Sequence, residues 1–386
     1  LPPVLAEWAS LTALTIYLES SFRHDYQCAG QISLTKKLSI GVLPKLLAIG
    51  SVTKLLRDRE DFLDMAITSG PSMLCLDVQW GNHFPCANSA ATAAVVKHIL
   101  SCCKGKYISI HELSSWTRSG CQQLARRLST RGSDFASNSV PDLLSQRLGR
   151  QRKQTLHVLS FTKKASATCP PHLHRQDERR EQSLAVAETF IALFLTAILI
   201  LTGNYGSGVL VLLTGITRTL SRSVVLERPE SYLASDDEQR QRCILAGAHE
   251  NASTWYLFLG DVSLIDTLLI KPMVIVPPNQ SRYLILSFAL IHVLQLLLIT
   301  YVASQKQWDG VCLLLLVLLA VAIEKTLGDT RHAKEWLQAS GYECETVTCE
   351  FAGRHDLMGA VQCIAGGKET AWMDKVLQIA KRRTVW

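Results

Sequence analysis

Tyr283–Ala303 reads YLILSFALIHVLQLLLITYVA. Thirteen of these residues are Leu, Ile, Val or Phe, none carries a formal charge, and His292 and Gln295 are the polar interruptions. A helix of about 20 residues rises ~30 Å, the thickness of the hydrocarbon layer of a bilayer. The stretch is expected to cross a membrane, and the fold turns on how many other stretches join it.

Three runs compete. Ser183–Gly203 carries eleven Leu, Ile, Val or Phe side chains and one charge, Glu188, near its N-terminal end. Those apolar residues favour insertion by roughly 3–7 kcal/mol, against about 3 kcal/mol for one central carboxylate. Gly310–Ile323 is intensely apolar but short, with Trp308 at one edge and Glu324-Lys325 at the other. Tyr205–Thr217 is punctuated by Gly206, Gly208 and Gly215 and then meets Arg218 and Arg222. Extended to Val225 it has the length of a span, entering as the second half of a hairpin whose arginines reach the surface.

The expected fold is therefore mainly α, an integral membrane protein with two transmembrane helical hairpins (four spans) and partly disordered cytosolic flanks. The hairpins occupy residues 183–225 and 283–325. Residues 1–117 read as a partly folded, mainly helical region, and residues 118–182 as a basic, Ser-rich disordered segment. Residues 226–282 form a loop with helices, and residues 326–386 a small α/β tail. The chain opens at Leu1, which suggests a fragment or a processed product, and Val4–Leu18 reads as an amphipathic helix or as the end of a lost membrane span.

Lys and Arg concentrate on the cytosolic side of membrane proteins. The turn around residues 203–207 has none and that at 304–309 has Lys306 alone, whereas Arg218, Arg222, Arg228, Arg240, Arg242, Lys271 and Arg282 fall on the opposite side. Both termini and the large loop are then cytosolic, in a multi-pass protein whose membrane is unspecified. The sequons at Asn251 and Asn279 lie in that loop and are expected to be unused.

The chain has 386 residues, 48% hydrophobic and 19% charged, with 40 Lys+Arg against 33 Asp+Glu. The net charge of +7 is localised, because residues 118–181 alone carry an excess of eight positive charges. Arg175, Arg179 and Arg180 abut the first apolar run and are candidates for anionic lipid headgroups, at about 1 kcal/mol each near the surface. Few aromatics interleave with the basic residues, so nucleic acid is not an expected partner. The bilayer and unidentified proteins are.

Elsewhere the patterns are modest. Leu46–Ile67 has helical spacing, Asn88 is placed to cap a helix through Cys102, and Ser235–Glu238 matches a capping box for a helix to about His249. Trp255–Ile270 reads as a further surface, re-entrant or packed helix. After Lys325 the order is helix, strand, helix, helix, with Tyr342–Phe351 of β-type composition. Twelve Cys without a CxxC give neither a disulfide scaffold nor a zinc ribbon. The sets His98/Cys102/His111/Cys121 and Cys344/Cys349/His355/Cys363 read better as ordinary packing than as metal ligands, and no metal or cofactor is expected.

The succession of Tyr301–Val311 (YVASQKQWDGV), Gly353–Gln362 (GRHDLMGAVQ), Trp372-Met-Asp374 and Arg382–Trp386 (RRTVW) resembles a group of uncharacterised multi-pass membrane proteins of filamentous fungi. The resemblance covers roughly the last hundred residues. It implies membrane integration and attaches no activity.

No Gly-x-Ser-x-Gly, P-loop, dinucleotide turn or His-box series occurs, so the reading leans away from an enzyme. A membrane scaffold or interaction protein needs no such motif and is the leading expectation. A small transporter using Glu188 and His292 is the alternative, because ionisable groups within apolar spans are costly and often functional. A membrane-embedded enzyme is the second alternative.

Overall fold

The computed structural model describes residues 3–36, 43, 48–102, 106–107, 153–163, 171–234, 241–277, 281–304, 308–323, 329–351 and 353–365. Its organising element is a seven-stranded mixed sheet drawn from the whole chain. The strands are β1 (Leu74–Asp77), β2 (His83–Pro85), β3 (Lys106–Tyr107), β4 (Gln154–Lys163), β5 (Gln241–Gly247), β6 (Thr254–Asp261) and β7 (Tyr342–Phe351). They lie in the order β2-β1-β5-β6-β4-β7-β3. β4 runs parallel to β6, β3 runs parallel to β7, and the remaining pairs are antiparallel.

Both faces of this sheet are apolar, and alternation along each strand divides them. Cys75, Leu159, Phe161, Ile244, Ala246 and Phe258 point to one face. They are covered by the C-terminal half of α1 (Pro3–Thr35), by α4 (Ser89–Cys102), by α7 (Val262–Leu269) and by α10 (Asp329–Ser340). Leu156, Val158, Leu245, Trp255, Leu257 and Val347 point to the other face, beneath Leu357, Ala360 and Val361 of α11 (Arg354–Ile364).

The remaining helices are α2 (Ala48–Asp58), α3 (Glu60–Ser69), α5 (Pro171–Leu201), α6 (Tyr205–Ser221), α8 (Arg282–Ser304) and α9 (Asp309–Ile323). α6 sits at the middle of a helix group. Leu210 packs with Ala13 of α1, Ile299 and Val302 of α8, and Leu313 of α9. Leu213 meets Ile49 and Val52 of α2 and Phe288 of α8, while Val211 meets Ala192 and Leu199 of α5. Between α5 and α6 the chain reverses through Gly203, whose φ of +82° lies in the region a glycine enters without steric cost.

These elements correct the mainly α, four-span expectation. Among the described residues, only Arg282–Ser304 is long and apolar enough to cross a membrane. α9 has 15 residues, a rise of about 22 Å, and α6 has 17 with Arg218 in its last turn. Segment 118–182 is not uniformly disordered: β4 lies inside it and pairs on both sides, with β6 and β7. Residues 241–247, read as helix, form β5, and Trp255–Ile270 splits into β6 and α7. Tyr342–Phe351, read as β-type, is β7, but it belongs to the common sheet and not to a separate tail. Residues 235–240 and Glu369–Lys381 lie outside the described residues.

Candidate functional site

The chemistry of the helix group begins with its side-chain pattern. α8 buries Phe288, Ile291, Gln295, Ile299 and Val302, a single stripe at spacings of three and four. Its other faces carry Leu286, Leu290, Val293, Leu294 and Leu297, all exposed. In α9, Leu313, Val317 and Ala320 are buried while Leu315, Leu318, Leu319 and Val321 are exposed. α5 repeats the arrangement, with Ala192, Thr196 and Leu199 inside and Phe190, Ile191, Leu193 and Phe194 outside. A helix that is apolar all round belongs in a large core or in a membrane. Among the described residues, 28% of the most apolar window of α8 is buried.

Polar contacts pin the group internally. Glu188 of α5 pairs with Arg218 of α6, so the one charge in the first run and one of the two arginines that end the second neutralise each other. Asp309, at the start of α9, is 4% exposed. Its Oδ2 accepts from the Gly206 N–H at 2.8 Å and its Oδ1 from the Ser207 N–H at 2.8 Å. The Ser207 hydroxyl donates to the Asp309 carbonyl at 2.9 Å. The carboxylate thus satisfies two amides in the first turn of α6, at its positive end. Gly206 is required there, since a Cβ would stand 2.7 Å from Asp309 Oδ2.

His292 of α8 faces α2, where a Cβ on Gly50 would stand 2.9 Å from the imidazole Cε1. Beside it, Asp25 of α1 accepts from the Ser51 hydroxyl and, at 2.7 Å, from the Lys54 ammonium. Glu188 and His292 therefore have different neighbours: the first is engaged by Arg218, the second packs on Gly50. Gln295 is buried in the α8 stripe.

The headgroup candidates Arg175, Arg179 and Arg180 lie in α5, which continues without a break from Pro171 into the apolar stretch. Asn251 is exposed at the β5–β6 turn, and its backbone N–H donates to His249 Nδ1 at 3.1 Å. Asn279 lies outside the described residues.

In the sheet, Arg242 bridges two carboxylates, donating to Asp77 Oδ2 at 3.0 Å and to Asp266. Asp77 Oδ1 also accepts from the Gln79 and Trp80 N–H groups, fixing the β1–β2 turn. Burial, helped by the Asp77 carboxylate, pushes the Cys243 thiol up, and burial alone pushes Cys349 up to about 11. A thiol held protonated is a poor nucleophile. Arg242, Asp77 and Asp266 are paired with one another, as structural networks are.

Neither metal reading gains support among the described residues, where no three His, Cys, Asp or Glu side chains converge. Cys102 Sγ lies 3.6 Å from His98 Nδ1 on the outside of α4, and His111 and Cys121 lie outside the described residues. Cys344 and Cys349 fall on opposite faces of β7, the first packing with one core and the second with the other. Asn88 does precede α4, but its amide does not cap that helix. It donates to the carbonyls of Thr267, Leu268 and Lys271 at the end of α7.

Comparison with family models, with curated proteins and with solved structures finds no match.

Proposed function

We propose that this is a membrane-associated interaction protein, in which lipid meets the exposed apolar faces of α5, α8 and α9 and the mixed sheet is presented to water. The observation that supports the reading is the distribution of exposed large apolar side chains. Leu, Ile, Val and Phe point outward along α5, α8 and α9, whereas the sheet hides the same residue types on both faces. Apolar surface on this scale marks a protein or membrane contact. α8 has the length for a crossing, and Arg175, Arg179 and Arg180 upstream of the α5 apolar stretch supply charge for anionic headgroups.

The interaction role is supported by a sheet whose strands are paired and packed on both faces beside the apolar helix group. Two measurements test the proposal. Alkaline carbonate should leave the full chain in the membrane pellet; release into the supernatant would end the membrane assignment. Detergent-solubilised protein should copurify with the same proteins across repeats. Substrate-driven proton flux in proteoliposomes, lost in His292→Ala, would replace the interaction role with transport.

A further inference from the structure

A 270 Å³ cavity opens between α1, α3, the start of α4 and the segment after α7. Ala29, Leu63, Ala91 and Met273 form apolar walls, Ser33 and Asn88 are its inner polar groups, and Asp64 stands at the exposed rim. The volume is just below the range of drug-sized sites.

Two clamps tie these walls to one another. Arg228 donates to the carbonyl oxygens of Ser33 at 2.5 Å and Leu34 at 2.9 Å on α1, and to Met273 at 2.7 Å on the opposite wall. Its guanidinium also lies 4.4 Å from the centroid of the Tyr232 ring. Asn88 joins α4 to the end of α7 through three carbonyls at 2.8–3.3 Å. Carbonyls only accept, so the amide end facing them is the NH2 and the opposite end is the oxygen. The cavity walls are thus fixed by side chains that donate to backbone carbonyls.

What remains inside is a hydroxyl and an amide oxygen. Ser33 is 7% exposed and Asn88 is 8% exposed. The Ser33 hydroxyl donates to no described residue, and Asn88 Oδ1 accepts from none. Both residues line the cavity, so a donor and an acceptor without a described partner are available to a guest as they are to water. A guest hydroxyl fits both, donating to Asn88 Oδ1 and accepting from Ser33. A carboxylate would set its lone pairs against Asn88 Oδ1. An ammonium would sit behind a wall held by the Arg228 charge, with the compensating Asp64 carboxylate out in water.

We propose that this cavity binds a neutral small molecule with an apolar body and one hydroxyl group. The test uses the full chain in detergent and three probes of equal length: 1-hexanol, hexanoate and hexylammonium, titrated by ligand-observed NMR. Saturable binding of 1-hexanol is expected, at least tenfold tighter than either charged probe. Ser33→Ala removes no hydrogen bond from the hydroxyl to a described residue and should leave the fold intact while weakening 1-hexanol about fivefold to tenfold. Ala29→Leu, which fills the cavity, should abolish binding. Equal or tighter binding of a charged probe, undiminished binding of 1-hexanol to a folded Ser33→Ala protein, or no saturable binding of any probe would overturn the assignment.

Discussion

Leu257 of β6 and Leu290 of α8 are the same side chain in opposite surroundings. Leu257 is sealed between the sheet and α11, while Leu290 is 61% exposed. Phe258 and Phe194 form a second such pair, one fully buried and the other projecting outward from α5. The sheet region has buried its apolar surface within the chain. The helix group has buried one stripe per helix and left large apolar side chains exposed on the others. Composition is therefore not what separates the regions; the completeness of each side chain's shell is.

The sharpest way to break the comparison is substitution at matched positions. Phe258→Ala should cost about 3–5 kcal/mol of stability in denaturant unfolding, the usual cost of a large cavity in a closed core. Leu290→Ala should cost less than about 0.5 kcal/mol. Leu290→Asp separates the environments further, because a carboxylate facing hydrocarbon costs about 3 kcal/mol whereas one facing water costs almost nothing. A near-zero effect of Leu290→Asp on membrane-embedded protein would place that face in water.

Asp309→Ala should loosen the helix group by about 1–3 kcal/mol, since two buried amides of α6 lose their acceptor. Protection of the Gly206 and Ser207 amides in hydrogen exchange would fall while that of β6 stays unchanged. Glu188→Gln should have a smaller effect, about 1 kcal/mol, as the pair with Arg218 is part-exposed. The double reversal Glu188→Arg with Arg218→Glu should recover most of that loss, which a purely steric role would not allow.

The smallest effect distinguishes the sheet by pH. His157 of β4 stacks on Tyr256 with centroids 5.4 Å apart, and its Nδ1 lies 2.9 Å from the Thr348 hydroxyl. Burial lowers its pKa from the ordinary 6.5. The unfolded chain then takes up a proton near pH 6.5 that the folded protein refuses, so stability is full above that pH and declines below it, until the lowered folded value is reached. Unfolding midpoints should fall between pH 7 and 5, and His157→Gln should flatten the slope. His98, lowered by burial and by Lys334, acts in the same direction.

The sequence made the apolar helices visible because eleven or thirteen aliphatic and Phe side chains within 21 residues leave little room for another reading. It disclosed β7 alone of the longer strands, because β4, β5 and β6 are apolar on both faces and short runs of that kind do not alternate visibly. β4 sits in a basic, Ser-rich stretch, and only its pairing with β6 and β7 reveals that Leu156, Val158, Leu159 and Phe161 are core. Glu188 was legible as a costly charge, but its partner Arg218 was legible only as a separate defect. Asp309 looked like an ordinary residue before an apolar run, because the amides it accepts from belong to residues 102 and 103 positions earlier. Ser33 and Asn88 gave no signal of a cavity, which arises from α1 and α4 meeting the segment after α7.

The central claim is that one region meets lipid and the other meets only itself and water. Methyl NMR of the full chain in nanodiscs tests it directly, with a lipid-soluble nitroxide compared against a water-soluble gadolinium chelate. The methyl signals of Leu290, Leu297 and Leu318 should broaden with the nitroxide and not with the chelate, while those of Leu245 and Leu257 respond to neither. Broadening of the Leu290, Leu297 and Leu318 signals by the chelate alone would contradict the account.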